Sequence, residues 1–396
     1  MLSKRRANIL VLLVQSIFTA MSGIALAYLA PVMQRFGYDS LQIGATMTAA
    51  SLAAFVAQPV WGYLNDKFSC SKQIILASCG VSCALFYALV HSGGQRLVVT
   101  ACIMGIYATI FCMMGFIDSW VSKLMAGGLA INYGATRSGG SVSYAVTVAI
   151  FGVVVERFGY TPAPVVLIVM FVFLCAVVLM LPNPPRVEVR RAVTLREGVL
   201  SLAANRVYLI FIGAYFLNTI SSCATDSFFS VLVAEMGGSE SVVGAGLFIM
   251  AITEVPIMVF YNRFKRRMGW SASRFIALSM IFYGLKGLGM GLAPTYGWVF
   301  ASIALHGLSF ALFLPASIDF MLETVEEKYL STAQLLAWAV GSSLGSMAGN
   351  SIDGAIAKAY GAKHMMIAVS VCSFVAAAII FLSNRRTARA KGSADV

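Results

Sequence analysis

Three ionisable residues lie inside consecutive apolar segments in the second half of the chain, namely Glu254, Lys286 and His306. An ionisable side chain at the centre of a bilayer-length helix costs ~2.5–3.5 kcal/mol on insertion scales. Counted along the helices, all three fall in the middle third of a hydrocarbon core that is ~30 Å thick. This pattern predicts inward-facing groups that pair with one another or hold a proton or a substrate.

The residue types indicate a proton site. Burial disfavours the charged form of Glu254, whereas a cation such as Lys286 favours it, so that carboxyl is the predicted proton carrier. Protonation of Glu254 would release Lys286 to bind a polar or anionic solute. His306 is the predicted shuttle, because an imidazole titrates near neutral pH. Asp226, a second carboxylate at membrane depth, is the alternative proton site. Static ion pairs that hold the helices together are the competing interpretation of all these charges.

The composition places these residues in a membrane protein. Of 396 residues, 59% are hydrophobic and 11% are charged, against ~25% charged in soluble domains. The net charge of +12 is interpreted as cytoplasmic loop charge rather than a nucleic-acid surface. The eight cysteines form no Cys-x-x-Cys pair, so neither a disulfide framework nor a metal site is expected. No P-loop, metal cluster or activated nucleophile is recognisable, so we expect no enzyme activity and no cofactor, with a proton gradient as the energy source.

Twelve apolar segments are long enough to be membrane helices, which predicts an all-α fold. They lie at 8–33, 41–64, 73–93, 97–122, 136–156, 162–182, 207–234, 241–262, 272–292, 296–321, 331–354 and 364–383. The longest connection, 183–206, carries five arginines and divides the chain into an N-terminal six-helix bundle, 1–182, and a C-terminal six-helix bundle with a short tail, 207–396. Of the 28 lysines and arginines, 21 fall on the side that holds both termini, which predicts that both termini are cytoplasmic.

The loop predicted after the second segment carries a family motif. Its residues, Gly62-Tyr63-Leu64-Asn65-Asp66-Lys67, resemble the major facilitator superfamily motif Gly-x-Leu-x-Asp followed by Arg or Lys. The second half of the motif is degraded, since Ser69-Cys70-Ser71-Lys72 replaces its usual basic run. The resemblance implies gating roles for Gly62, Asp66 and Lys67, which anchor this loop as the two halves rock. A second loop, predicted at 261–267, falls at the equivalent place in the second half.

Further residues resemble the branch that contains lactose permease and the phenylpropionate permease-like proteins. Asp118 and Arg137, the latter before a Gly/Ser-rich run, match an acidic and a basic partner there. Glu254 and His306 match the branch's helix 8 glutamate and helix 10 histidine, whereas Lys286 replaces a helix 9 arginine. Ser309 stands where lactose permease has its main proton-carrying carboxylate, so that proton site does not transfer and lactose is doubtful as the substrate.

The resemblance implies a substrate cavity lined by both halves. Substrate binding is predicted for Asp118, Arg137 and Lys286, and stacking on a ring substrate for Tyr28, Tyr144 and Trp338. For the aromatic residues, packing in the core or at the membrane interface is the alternative. For Asp118 and Arg137, the alternative is a cytoplasmic brace that never touches substrate.

Together these features predict a proton-coupled symporter in the cytoplasmic (inner) membrane of a bacterium, working by alternating access. Its substrate would be a small polar or anionic organic solute, such as an aromatic carboxylate, a nucleoside or a sugar. The partners would be that solute, protons and the lipid bilayer, with no nucleic acid, and the family implies a monomer. The alternatives are a proton-coupled drug or metabolite exporter and, less favoured, a transport-inactive receptor.

Overall fold

The computed structural model describes residues 3–183 and 195–392, and every regular element within them is helical. The first eight α-helices are α1 Lys4–Ala27, α2 Leu29–Arg35, α3 Ser40–Phe68, α4 Ser71–Val90, α5 Arg96–Ile106, α6 Cys112–Ala126, α7 Tyr133–Phe158 and α8 Ala163–Met180. The others are α9 Leu195–Ala204, α10 Arg206–Ser227, α11 Phe229–Glu235, α12 Glu240–Met268, α13 Ala272–Gly291, α14 Tyr296–Ile303, α15 His306–Thr324, α16 Leu330–Leu336, α17 Gly345–Tyr360 and α18 Ala362–Gly392. Two π-helical segments, Tyr107–Phe111 and Ala337–Leu344, join α5 to α6 and α16 to α17, and a short 3₁₀ turn covers Glu327–Tyr329.

Ten helical stretches in the described ranges are long and apolar enough to cross a membrane, so the protein is a multi-pass membrane protein. The remaining two predicted spans, 272–292 and 331–354, are also helical: α13 occupies the first, and the run from α16 to α17 covers the second. The total of twelve spans stays a prediction.

Two pairs of helices begin 200 residues apart along the chain. The short helix α2 begins at residue 29 and α11 at residue 229, and the 29-residue helices α3 and α12 begin at 40 and 240. Gly37 and Gly237, which follow the two short helices, both have φ of 78°. Glycine adopts this left-handed conformation without the steric cost that a Cβ would bring. The same turn, chosen by the same residue type, therefore sets the direction of the next long helix in both places.

The described residues form two compact units. One contains residues 3–183 and 230–252, and the other contains 195–229 and 253–392. In the first unit, α1 packs against α7 and α8, and α4 packs against α5 and α8. In the second, α10 packs against α17 and α18, and α13 packs against α15 and α18. The predicted division into bundles at 183–206 stays a prediction; residues 184–194 of that linker lie outside the described residues, and α9 occupies most of the rest.

The segment that carries the family motif and the segment 261–267, both predicted as loops, are helical. Helix α3 continues to Phe68, and α12 continues to Met268. The end of α3 is set by Ser69, which has φ of 51°. Lys67 lies in the last turn of α3, where a positive charge interacts favourably with the helix dipole. The motif therefore forms the end of a long helix, and the connection that follows is only two residues long.

Candidate substrate and proton site

Four ionisable side chains of the second unit form one continuous chain of contacts. The Lys286 ammonium donates to Asp226 Oδ1 over 3.1 Å and lies 3.0 Å from His306 Nδ1. On the other side of the imidazole ring, Nε2 lies 3.1 Å from Glu254 Oε1. Helices α10, α12, α13 and α15 each contribute one of these residues. We call Asp226, Glu254, Lys286 and His306 the four-residue cluster.

Burial divides the cluster into an inner cation and two outer carboxylates. The side chain of Lys286 is 0% exposed and that of His306 is 6% exposed, whereas Glu254 and Asp226 are 17% and 42% exposed. The positive charge therefore lies behind the carboxylates. A solute that approached the exposed side would meet hydrogen-bond acceptors first.

The partners of His306 define which ring nitrogen carries the proton. An ammonium group has only donors, so Nδ1 facing Lys286 must accept. Nε2 then carries the hydrogen and donates to the Glu254 carboxylate. A second positive charge on the ring would lie next to the ammonium, so the arrangement favours the neutral imidazole. The cluster thus holds one cation, one neutral ring and two carboxylates.

Glu254 and Lys286 do not contact each other directly. The sequence suggested that Lys286 acts directly on Glu254, but its direct partners are Asp226 and His306, and the imidazole separates it from Glu254. Segment order and depth alone do not determine which side chains meet, because that depends on the rotation of each helix about its axis. The structure therefore brings together all four residues that the sequence proposed around the proton site, in a different order.

Close packing of α12 against α15 brings Glu254 to His306. A Cβ added to Gly307 would lie 2.2 Å from the carbonyl oxygen of Thr253. Only glycine allows the two backbones to approach this closely at residues that directly neighbour the ion pair. Ser309, which replaces the carboxylate of lactose permease, is buried and donates to the His306 carbonyl oxygen over 3.1 Å.

We expect Gly307→Ala to lower stability by about 1–3 kcal/mol, the range for overpacking a core. The new methyl group must push α12 and α15 apart, which also lengthens the His306–Glu254 contact. The measurement is the midpoint of thermal unfolding of the purified protein.

The matched control is Gly213→Ala in α10, where an added Cβ would have no neighbour within 4 Å. That change should be neutral or stabilising, since alanine is favoured over glycine in a helix by about 1 kcal/mol. Equal midpoints for the two variants would contradict the packing argument.

A second charged pair lies in the first unit. Arg137 Nε is 3.6 Å from Asp118 Oδ2, and each side chain is about one-third exposed. Gln15 donates to Asp118 Oδ1 over 3.4 Å, and Arg137 lies 3.5 Å from Ser141 Oγ. A cavity of about 10 Å³ beside the pair has room for about one water molecule. The structure confirms proximity of Asp118 to Arg137, and both interpretations, substrate binding and brace, stay predictions.

The three predicted stacking aromatics have different environments. Tyr28 is fully buried at the end of α1 and donates to the Val148 carbonyl oxygen over 2.5 Å. Tyr144 is half-buried and lies next to Gly23, whereas Trp338 is 47% exposed. Trp338 is thus the one of these three with a largely accessible ring, and the stacking roles of all three stay predictions.

The predicted gating residues lie at the end of α3. Gly62 has open space where a side chain would be, and the Lys67 ammonium lies over the rings of Tyr63 and Phe68 at 5.6 and 5.3 Å. The side chain of Asp66 lies outside the described residues. The gating roles of Gly62, Asp66 and Lys67 stay predictions.

Asp319 forms a network whose partners sequence reasoning did not identify. It accepts from the Tyr261 hydroxyl and from the Lys265 ammonium, each over 2.8 Å, and Glu323 lies 3.6 Å from the same ammonium. This network ties α12 to α15 near the ends of both helices. Asp319 therefore braces the ends of two helices. The signal in the sequence was the basic run at 263–267, which entered the sequence analysis only through the count of lysines and arginines on one side of the membrane.

Comparison with known proteins agrees with a transporter. The chain is 26% identical over 310 residues to the uncharacterized transporter YwbF of Bacillus subtilis (strain 168), covering 77% of this chain and 75% of that protein. It is 26% identical over 349 residues to the maltose permease of Geobacillus stearothermophilus, covering 87% and 86%. A structure of a variant of the nucleoside transporter NupG superposes with a TM-score of 0.83 over 95% of this chain and 99% of that one, at 16% identity, which is a likeness of fold.

These relatives are transporters rather than enzymes, and the predicted resemblance is confirmed by a family model. The model of the MFS_1-like family matches residues 13–383, nearly the whole chain. The protein therefore belongs to the MFS_1-like family of transporters.

Proposed function

We propose that this protein is a proton-coupled symporter of a small, neutral, hydroxyl-rich solute, such as a sugar or a nucleoside. The observation that carries the proposal is the arrangement of the four-residue cluster. Its two carboxylates are on the exposed side, and its only ammonium group is buried behind them.

This arrangement favours neutral solutes over carboxylates. An ionised carboxylate only accepts hydrogen bonds, and sugar or ribose hydroxyl groups supply donors to it. An anionic solute would meet Asp226 and Glu254 before it met Lys286. Arg137, the cation that the sequence suggested for carboxylate binding in the first unit, is already next to Asp118. The name of the maltose permease relative, a sugar transporter, points in the same direction.

The order of donors in the cluster supports proton coupling. The Lys286 ammonium faces Nδ1 of His306, and Nε2–H of the same ring faces Glu254. If Lys286 gives a proton to Nδ1 while Nε2 gives its proton to Glu254, the ammonium becomes an amine and the carboxylate becomes a carboxylic acid. The charges of Lys286 and Glu254 are then both neutralised, and the net charge of the cluster does not change. Loading a proton from solvent on Glu254 gives the same neutral carboxyl and leaves Lys286 paired with Asp226 alone.

The transport cycle we propose is alternating access by two six-helix bundles with twelve membrane helices. The 200-residue repeat of short and long helices supports a pair of equivalent halves, as parallel-repeat transporters have. The excess of lysine and arginine on one side supports cytoplasmic termini in a bacterial inner membrane. We further propose that the protein acts as a monomer and needs no cofactor besides the proton gradient.

The test is a proton-flux assay on the full-length protein in proteoliposomes that contain a pH-sensitive dye. Maltose, uridine and phenylpropionate are added outside in separate experiments. We expect maltose or uridine to acidify the lumen and phenylpropionate to have no effect.

Uptake of solute without acidification would contradict proton coupling. Acidification by phenylpropionate alone would contradict the neutral-solute assignment. The competing function is proton-coupled export, which the two exposed carboxylates would suit if the solute were an organic cation. Release of an internally loaded organic cation in exchange for protons, with no response to maltose or uridine, would replace the symport proposal with export.

A further inference from the structure

We propose that Asp353 in α17 is a second proton-binding site, which is protonated in the structure described here and exchanges its proton during transport. The proton site itself rests on geometry, whereas its part in transport rests on the proposed symport function.

No positive group among the described residues balances a negative charge on the Asp353 carboxyl group. It is 0% exposed, and neither of its carboxyl oxygens has a hydrogen-bond partner among the described residues. Its neighbours one turn away on α17 are Gly349, Asn350, Ile356 and Ala357, none of which is ionisable. A buried, unpaired carboxylate is so unfavourable that the group takes up a proton instead. In this position a neutral carboxylic acid is the physically reasonable form.

Within residues 3–183 and 195–392, no cation is found to act on Asp353. Helix α17 packs against α10 and α18, and Cys223 of α10 and Cys372 of α18 interact electrostatically with Asp353. The approach to α10 is close, since a Cβ on Gly349 would lie 3.1 Å from both Cys223 Cβ and Ile220 Cα. Thiols are weak hydrogen-bond donors and neutral partners, so they leave the carboxyl uncompensated.

A second unpaired acceptor lies on the same helix face as Asp353. The side-chain oxygen of Asn350 is also buried without a hydrogen-bond partner. Asn350 lies three residues before Asp353, a spacing that places both side chains on one face of the helix. Protonation of Asp353 supplies a donor on the helix face that carries the Asn350 oxygen. A metal cation would need several more oxygen ligands than these two side chains supply.

The site lies next to the four-residue cluster. Cys223 of α10 interacts electrostatically with both Asp353 and Asp226, and it lies three residues before Asp226 on the same helix. This shared neighbour links the buried acid to a carboxylate of the four-residue cluster. This gives the carrier two neighbouring groups that can load protons in turn.

The first experiment needs no substrate. Infrared spectra of the full-length protein are recorded in proteoliposomes, and the C=O stretching band of protonated carboxyl groups is compared between wild type and Asp353→Asn. We expect wild type to show a carboxylic-acid band at neutral pH that is missing in Asp353→Asn. The control is Asp319→Asn, since Asp319 accepts from Lys265 and Tyr261 and should contribute no such band. An unchanged band in Asp353→Asn would overturn the proton site. A band that disappears when sodium replaces potassium in the buffer would also overturn it, because the site would then hold a sodium ion rather than a proton.

The second experiment tests exchange of the proton. The number of protons taken up per maltose is measured for wild type and Asp353→Asn, together with maltose counterflow as a check of folding. We expect the variant to retain counterflow and to take up one proton fewer per maltose. An unchanged ratio would show a permanently protonated, structural acid and would overturn the inference. If wild type takes up maltose without protons, the symport proposal fails, and the infrared result still decides whether Asp353 carries a proton.

Discussion

Asp226→Asn is expected to lower thermal stability more than any other neutralising substitution in the four-residue cluster, by ~3 kcal/mol, the low end of the range for breaking a buried ion pair. The substitution leaves the Lys286 ammonium, which is 0% exposed, without its anionic partner. The asparagine oxygen and the neutral ring of His306, 3.0 Å away, can still accept from the ammonium, but neither carries a compensating negative charge. The partial exposure of Asp226 itself places the expected loss at the lower end.

Removing the other partner of the pair, Lys286, should lower thermal stability less. Lys286→Met removes the buried charge and leaves Asp226, which is 42% exposed and is therefore partly hydrated. The double variant Asp226→Asn/Lys286→Met should recover most of the loss, because replacing a buried pair with neutral groups is often neutral or stabilising. The measurement is the midpoint of thermal unfolding of the four proteins, wild type included. A double variant less stable than Asp226→Asn would show that the two charges do not act as a pair.

The second large effect is expected on the coupling of proton uptake to maltose transport. Glu254→Gln should remove the proton that the four-residue cluster takes up, so that one proton fewer enters per maltose, while maltose counterflow continues. The glutamine can still accept from Nε2–H of His306, so a hydrogen bond between α12 and α15 remains at the place of the 3.1 Å contact. An amide cannot take up a proton at physiological pH, so the relay from Lys286 through the imidazole ends without an acceptor.

The control for this variant is Glu323→Gln, which makes the same chemical change in α15. Glu323 lies 3.6 Å from Lys265 and outside the four-residue cluster, and its side chain is 43% exposed. A surface pair of this kind contributes about 0–1 kcal/mol, so both proton uptake and counterflow should persist. An unchanged number of protons per maltose in Glu254→Gln would exclude Glu254 as the proton acceptor of the cluster and leave Asp226 as the alternative.

The sequence was informative about composition and depth, and less so about rotation. Apolar length alone located the membrane helices, and the cost of buried charge selected Glu254, Lys286 and His306. Which atoms meet depends on features that hydropathy does not report. One is the break before His306, where α14 ends at Ile303 and a new helix begins. Another is the close contact at Gly307, which sets the distance between α12 and α15.

Two further residues show the same limit. Tyr28 was a reasonable candidate for stacking from its place in the first segment, yet its hydroxyl is used inside the unit by the Val148 carbonyl. Asp353 gives no signal of its own in the sequence, because it lies in a Gly- and Ser-rich stretch whose small residues suit close helix contact. In the structure, Gly349 brings α17 against α10, and Asp353 is fully buried. A buried acid without a base is visible only once the neighbours are known.

The 200-residue interval between equivalent helices has a consequence for how this chain arose. A gene that was duplicated and fused would yield two copies of one helical plan, and later substitutions would distinguish them. At the positions 200 residues before Asp226, Glu254, Lys286 and His306 the first copy has Leu26, Ala54, Phe86 and Ile106. The positions 200 residues after Asp118 and Arg137 hold Ile318 and Ala337. At these positions each half thus has charges where the other is apolar, so the two halves share a helical plan but not their charged groups.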